Sequence, residues 1–240
     1  MDPFKIISPV SEQLSEVEQK LHDFSSNAEL PFLDELLTHA FNSQGKLARP
    51  ALTLLTSGFH EHNWDKVTTM AAAVEMLHIA TLIHDDTVDE AETRRGRITV
   101  SNKYGQHTAV LLGDYIFASS ATYVCDTGNI EVIKMFSQTI MDLSEGQIQE
   151  TANIKNLKTD INEYLHRIYL KTGSLFTTAG VSGAKLSGAS DEQVTYIRKY
   201  SKNIGLAFQI IDDIFDLNKN ETQLGKPVGS DLINGVVTLH

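Results

Sequence analysis

LIHDDTVDEAETRRG, residues 82–96, places five acids and two adjacent arginines directly after an apolar segment. Asp85, Asp86 and Asp89 lie at i, i+1 and i+4, so on a helix Asp85 and Asp89 share one face and Asp86 lies about 100° round it. A solvated acidic face is the commonest meaning of such a run. The apolar residues between Met76 and Ile83 leave little room for one, so the stretch predicts carboxylates at the end of a buried helix.

A second stretch, GLAFQIIDDIFDLN at 205–218, repeats the spacing in Asp212, Asp213 and Asp216. Burying unpaired carboxylates is costly and normally forces protonation, pairing or metal binding. Oxygen ligands alone favour hard cations, and neither a calcium loop nor a Cys/His zinc spacing is present. Because Mg²⁺ typically joins one or two carboxylates to substrate phosphates, the two runs predict a magnesium–diphosphate site.

Arg94 and Arg95 follow the first acidic run. A solvated turn is the plainer interpretation of this pair. Guanidinium groups, however, clamp phosphate oxygens with fixed donor forks, and the acids are close by in sequence. We therefore expect the acids to bind cations, and the cations with the arginines to bind a diphosphate.

Composition excludes other classes of function. The 240 residues carry a formal net charge of −11, which argues against a nucleic-acid partner. The single cysteine, Cys125, excludes an intrachain disulfide and is expected to be packed in an apolar run. The N-terminus lacks the basic region of a signal peptide, and we find no run of about 18 apolar residues. The expectation is a cytoplasmic protein without a transmembrane segment.

Apolar periodicity predicts a single all-α domain over residues 1–240. The predicted helices are 11–24, 30–41, 49–60, 70–92, 107–126, 130–152, 161–186 and 191–217. The one strand-like stretch is GRITVSNKYG, residues 96–105, and the one long irregular region is 219–234.

The motifs DDTVDEAETRRG (85–96) and DDIFD (212–216) resemble those of the trans-isoprenyl diphosphate synthases, the polyprenyl synthetase family. The resemblance runs from about Gly45 to the C-terminus. It implies an orthogonal helical bundle around a deep central cavity, usually dimeric, with three Mg²⁺ ions holding an allylic diphosphate between the motifs. The family pattern continues past the stretch GVVTL, so the resemblance also implies that the family's C-terminal helices are missing here.

The resemblance assigns residues to four groups. The isopentenyl diphosphate site comprises Gly45, Lys46 and Arg49 of GKLARP, with His78 and Arg95; Leu47 stands where another basic residue is usual. The allylic side comprises Arg94, Lys171, Thr172, Phe208, Gln209 and Lys226. The metal ligands are Asp85, Asp86, Asp89, Asp212, Asp213 and Asp216. The catalytic set is Asp85, Asp86, Asp89, Lys171, Asp212 and Lys226. Without the resemblance, His78 would be a core histidine, and Lys171 and Lys226 would be surface lysines.

The implied mechanism needs no protein nucleophile. The magnesium ions with Lys171, Lys226 and Arg94 stabilise charge on the departing allylic diphosphate. Isopentenyl diphosphate then attacks the cation and loses a proton, which lengthens the chain by one isoprene unit. An apolar cavity must exclude water from the cation.

Product length is predicted from the helix before the first motif. Where short-chain members of the family carry bulky aromatics as a floor, this chain has Ala80 and Thr81. We expect a geranylgeranyl or longer product, with Leu77 or the segment Leu111–Ser120 as the deeper stop. The alternative is that Ala80 is small only for helix packing.

Three other functions remain open at this level. A class I terpene cyclase would share the fold and first motif, but usually has a different second motif and no GKLARP. A non-catalytic subunit of a heteromeric synthase typically loses the aspartate motifs. A metal-binding scaffold leaves Lys46, Arg49 and the arginine pair unexplained. The expected partners are isopentenyl and allylic diphosphates, with a homodimer or a heterodimer with a small subunit.

Overall fold

The computed structural model describes residues 6–42, 45–152 and 160–218, and this part of the chain is helical, as predicted. The helices are α1 Ser11–Ser25, α2 Pro31–Phe41, α3 Ala48–Thr56, α4 Trp64–Val88, α5 Val100–Tyr104, α6 Gln106–Asp126, α7 Ile130–Ala152, α8 Ile161–Ile168, α9 Ser174–Leu186 and α10 Asp191–Asn218. A 3₁₀ turn, Ser8–Val10, precedes α1, and a π-helical segment, Tyr169–Gly173, joins α8 to α9. Strands β1 Thr93–Arg94 and β2 Arg97–Ile98 form an antiparallel hairpin.

Helix α4 lies at the centre of the fold. The side chain of Asn63 accepts a hydrogen bond from the backbone N–H of Asp65 at 2.9 Å, so the helix begins six residues before the predicted Met70. Residues 67–77 are all buried, because α4 separates two apolar clusters. It packs most extensively against α6. This central position places the first acidic motif at the end of a core helix.

The hairpin after α4 carries the two arginines. The predicted strand-like stretch is reduced to β2, and α5 begins at Val100. The two turn residues, Arg95 and Gly96, have φ of 52° and 77°, as a tight hairpin turn between twisted strands requires. The turn reverses the chain, so Arg94 returns to the end of α4.

Two predictions about burial are wrong. Cys125 is exposed, because Val124 takes the inward-facing position in the last turn of α6. The end of α10 was expected to be an apolar segment that buries its carboxylates, yet Ile211, Ile214 and Phe215 are 49%, 44% and 39% exposed. Among the described residues, no element covers this face of α10.

The prediction that no segment is apolar enough to cross a membrane was too strict. By length and composition, α4 and α6 both qualify, with 72% and 33% of their apolar windows buried within the protein. A core helix passes the same test, and α4 is one. Two such helices are weak grounds for a membrane span.

Candidate active site

The first acidic motif meets Lys171 where α4, α7 and the π-helical segment converge. The Lys171 Nζ donates to Glu150 of α7 in a close ion pair. Helix α7 can approach the π-helical segment because residue 146 is glycine: a Cβ there would lie 3.0 Å from the Lys171 backbone nitrogen. Glu150 lies one turn further along α7 and so reaches the lysine.

Electrostatics connect Asp85 to this pair. Burial raises the pKa of Asp85 to about 6. The negative charges of Asp89 and Glu150 also raise it, whereas the positive charge of Lys171 lowers it. Burial alone would lower the pKa of Lys171, but the carboxylates around it, Glu150 foremost, raise it instead. The lysine is therefore held as a cation, and the acids around it still carry excess negative charge.

Asp86 occupies a different environment from Asp85. It is 6% exposed, and the Arg94 Nε donates to its two carboxylate oxygens at 2.7 and 2.9 Å. Burial raises the pKa of Asp86, and the ion pair with Arg94 opposes this rise. The sequence assigned Asp86 to metal and Arg94 to the allylic diphosphate. In this structure the two side chains bind each other.

The second motif also divides its acids by burial. Asp212 is exposed, whereas Asp213 is buried and accepts hydrogen bonds from the Tyr164 hydroxyl at 2.6 Å and from Gln209 Nε2 at 2.7 Å. The Gln209 Oε1 accepts in turn from the Thr172 hydroxyl at 2.6 Å. Thr172 and Gln209 are therefore in direct contact, and their assignment to the allylic side stays a prediction. The side chain of Asp216 and the whole of Lys226 lie outside the described residues.

An arginine-lined pocket lies on another face of α4. This cavity of about 170 Å³ is bounded by Gly45, Leu47, Glu75, His78, Asp86, Arg94 and Arg95, among others. Gly45 lies close to the guanidinium of Arg95: a Cβ at residue 45 would lie 3.2 Å from the Arg95 Nη1, so a larger residue would displace that side chain. Leu47 takes the left-handed conformation, with φ of 48°, immediately before α3. The structure thus brings together most of the predicted isopentenyl diphosphate site, while Lys46 is exposed at its edge.

A further cation, Arg49, lies close enough to the pocket residues Glu75, His78 and Arg95 to interact with them electrostatically. Arg49 lies with its guanidinium carbon 4.5 Å from the centroid of the Phe176 ring, and burial lowers its pKa to about 10 while Glu75 opposes the fall. Burial and three neighbouring arginines lower the pKa of His78 well below its usual value. His78 is therefore a neutral imidazole, able to donate one hydrogen bond.

Three residues near these sites were not found from the sequence. Glu75 is 5% exposed, and burial raises its pKa against the attraction of Arg49 and Arg95. A lone acid inside the apolar run TMAAAVEMLHIA was a signal that could have revealed it. Glu150 and Tyr164 lie in mixed polar helices, where no local pattern separates them from surface residues.

The residues predicted to set product length do not line the arginine-lined pocket. Leu77 and Ala80 are fully buried in the core, and Thr81 is half-buried with its hydroxyl donating to the His78 carbonyl. Ala80 therefore packs between helices in this structure. Its role in product length stays a prediction.

Among the described residues, no three His, Cys, Asp or Glu side chains are arranged as a closed metal cage. Mg²⁺ does not need one, because it usually retains water and binds through one or two carboxylates with substrate phosphates. The oxygen-only donors and the excess negative charge around Asp85 fit a cation bound in that way. The residues present are thus compatible with magnesium held together with a diphosphate.

Comparison with known proteins identifies the class. The polyprenyl synthetase family profile matches residues 30–240, so this chain belongs to the polyprenyl synthetase family. It is 40% identical to a prenyl transferase of Synechocystis over 87% of the chain, and 37% identical to solanesyl-diphosphate synthase 2 of Oryza sativa over 97% of it. The chain spans 65% and 59% of these relatives, which is less than two thirds of their length.

The solved structures confirm the fold. Heptaprenyl diphosphate synthase from Staphylococcus aureus superposes with a TM-score of 0.91 at 34% identity, covering 96% of this chain and 73% of that one. A polyprenyl synthase from Caulobacter crescentus, complexed with calcium and isoprenyl diphosphate, gives 0.92 at 29% identity, covering 98% and 71%. The helical fold of isoprenoid synthases predicted from the sequence is therefore confirmed.

Proposed function

We propose that this chain is a trans-prenyltransferase that condenses isopentenyl diphosphate with an allylic diphosphate into a medium- or long-chain polyprenyl diphosphate. The observation that carries the proposal is the pair of adjoining sites at the end of α4. One is the pocket lined by Arg94 and Arg95, and the other is the acidic cluster of Asp85 around Lys171. Relatives named as solanesyl and heptaprenyl diphosphate synthases support the longer product.

The arginine-lined pocket is assigned to isopentenyl diphosphate. Arg95 and the exposed Lys46 would bind the phosphate oxygens, and the half-buried Arg49 would contribute positive charge nearby. Neutral His78 would donate a hydrogen bond without adding charge. Gly45 keeps the pocket open beside Arg95.

The allylic diphosphate is assigned to the other face, beside Lys171. Asp85, Asp89 and Asp212 are the residues that would hold magnesium, with three ions per site as the proposed number. When bound with the diphosphate, the metal supplies electrostatic stabilisation of the leaving group. Lys171, kept protonated by its neighbours, donates to the departing oxygens as the allylic bond breaks. Lys226, outside the described residues, is proposed for the same side.

The remaining assignments concern assembly. We propose one functional unit over residues 1–240, located in the cytoplasm, that pairs with a second copy or with a small subunit. The name of one relative, heptaprenyl diphosphate synthase component 2 of Geobacillus stearothermophilus, supports the heteromeric arrangement.

The test is a product assay. The chain is incubated with labelled isopentenyl diphosphate, farnesyl diphosphate and Mg²⁺, and extracted products are separated by chain length. The expected result is a labelled polyprenyl series that disappears in the Asp85→Asn variant. Hydrocarbon formed from the allylic diphosphate alone would instead indicate a terpene cyclase, and a requirement for a second protein would indicate a heteromeric enzyme.

A further inference from the structure

The hydrogen-bond network around Asp213 separates this residue from the other acids of its motif. Both oxygens of its carboxylate accept protein donors, Tyr164 Oη at 2.6 Å and Gln209 Nε2 at 2.7 Å. Asp213 and Tyr164 are each 3% exposed, whereas Asp212, one residue away, is exposed. A carboxylate enclosed in this way is oriented toward the protein interior.

The network continues to the substrate-facing side of the proposed site. Gln209 offers its amide nitrogen to Asp213 and its carbonyl oxygen to the Thr172 hydroxyl, 2.6 Å away. An amide rotated by 180° would turn its oxygen toward the Asp213 carboxylate and lose that hydrogen bond, whereas the Thr172 hydroxyl could donate or accept. Asp213 therefore fixes which end of Gln209 faces Thr172. Thr172 directly follows Lys171 in the π-helical segment. The chain of contacts therefore joins α8, α10 and that segment.

The first motif repeats this division. Asp86, also the second acid of its run, is buried and held by Arg94. In each motif the i+1 carboxylate binds a donor of the protein. In the first motif, the neighbouring Asp85 lies close enough to Lys171 for the two opposite charges to attract each other. The doubled aspartate thus supplies two functions on two faces of one helix.

We propose that Tyr164 is a positioning residue that holds Asp213 as an anchor for Gln209 and Thr172, and that Asp213 does not bind magnesium. This assignment rests on the proposed diphosphate site and revises the metal role predicted for Asp213 from the sequence. Tyr164 acts through Asp213 alone, so the effects of changing the two residues should not add.

The test uses inorganic pyrophosphate and Mg²⁺ as probes, with melting temperature as the readout. Each variant is titrated with pyrophosphate at saturating Mg²⁺ and with Mg²⁺ at saturating pyrophosphate. Asp213→Asn retains both hydrogen-bonding partners, because the Asn amide nitrogen can donate to the tyrosine oxygen. We expect it to bind both probes within about 2-fold of the wild type, since an anchor needs the hydrogen bonds and a ligand needs the charge.

Loss of the hydrogen bonds should have a different effect. Tyr164→Phe and Asp213→Leu should each weaken pyrophosphate binding by about 3- to 10-fold and raise the KM for the allylic substrate by the same factor. A loss of this size corresponds to the free energy of about one charge-assisted hydrogen bond or less. Their Mg²⁺ midpoints should stay unchanged. The double variant should match Asp213→Leu. Tyr169→Phe, in the π-helical segment, is the matched control and should change neither titration.

Two results would overturn the assignment. One is an Asp213→Asn variant whose Mg²⁺ midpoint rises as much as that of Asp212→Asn, because Asp213 would then be a ligand. The other is a double variant in which the two losses multiply, because Tyr164 would then act by another route. A wild-type chain that binds Mg²⁺ with pyrophosphate but makes no prenyl product would contradict only the proposed function, since the titrations do not depend on turnover.

Discussion

Asp85→Asn should stabilise the metal-free protein while removing its response to Mg²⁺ and diphosphate. Asp85 is ionised at pH 7 although burial opposes its charge and Asp89 and Glu150 repel it. The amide has nearly the same shape and carries no charge. The variant therefore removes a native-state electrostatic cost without opening a cavity.

The magnitude follows from the pKa. The native pKa of about 6 lies roughly two above the ordinary 3.8, and each unit corresponds to about 1.4 kcal/mol. Ionised Asp85 thus costs about 3 kcal/mol at pH 7 as an upper limit. Asp85 is still partly exposed, and solvent screening reduces this cost, so we expect a net gain of about 1–2 kcal/mol. For a chain of this size, that gain raises the melting temperature by about 2–8 °C.

The pH dependence gives the sign of the effect. Because the native pKa is raised, the native state binds more protons than the unfolded state between about pH 4 and 6. This term makes the wild type more stable as pH falls through that interval, whereas Asn does not titrate. Melting curves at pH 7 and pH 4.5 should therefore show the gain at pH 7 and show most of it lost at pH 4.5.

Asp89→Asn is the matched control, since Asp89 belongs to the same motif but is exposed. It should change stability by less than about 0.5 kcal/mol, the usual range for a surface substitution. Both variants should lose the added stability that Mg²⁺ with pyrophosphate confers on the wild type. If Asp85→Asn melted at or below the wild-type temperature at pH 7, or kept its whole gain at pH 4.5, burial would not be the cause of the raised pKa.

Other substitutions test the remaining assignments. Arg49→Ala should raise the KM for isopentenyl diphosphate far more than that for the allylic substrate in steady-state assays, by an amount equivalent to about 2–5 kcal/mol; the reverse pattern would exchange the two sites. Arg94→Leu should lower the free energy of unfolding, measured in urea, by about 1–3 kcal/mol because Asp86 would stay buried without its partner; an unchanged midpoint would mean that Asp86 turns to solvent. Ala80→Phe should overpack the core at a cost of about 1–3 kcal/mol. Thr81→Phe is therefore the better test of product length, and chromatography should show shorter products unless the tail follows another route.

The helices were largely predictable from the sequence. Apolar periodicity placed α7 at Ile130–Ala152, and the predicted helix 161–186 corresponds to α8, the π-helical segment and α9. The π-helical segment was not predicted, because it depends on the close approach of α7 at Gly146. The start of α4 was misplaced because the cap at Asn63 lies beyond several polar residues.

The site was predictable by residue type but not by orientation. Spacing identified all three acids of each motif, yet spacing cannot tell which carboxylate pairs with the protein and which remains beside the lysine. That division depends on Arg94, returned by the hairpin, and on Tyr164, supplied by a distant helix. Partners separated by eight and by 49 residues leave no periodic pattern.

Helix α4 combines a stretch that stabilises the fold with a charged end that destabilises the helix. Its buried stretch, residues 67–77, contributes apolar burial, whereas the turns that end at Asp89 carry like charges in positions that destabilise the helix. A short acidic helix at the surface could not hold Asp85 partly buried, because the end of the helix would fray and expose it to water. Placing the motif at the end of a long core helix keeps the carboxylates close together before any cation binds. The binding energy of the cation then need not order the chain, which is why a long core helix carries these unfavourable charges.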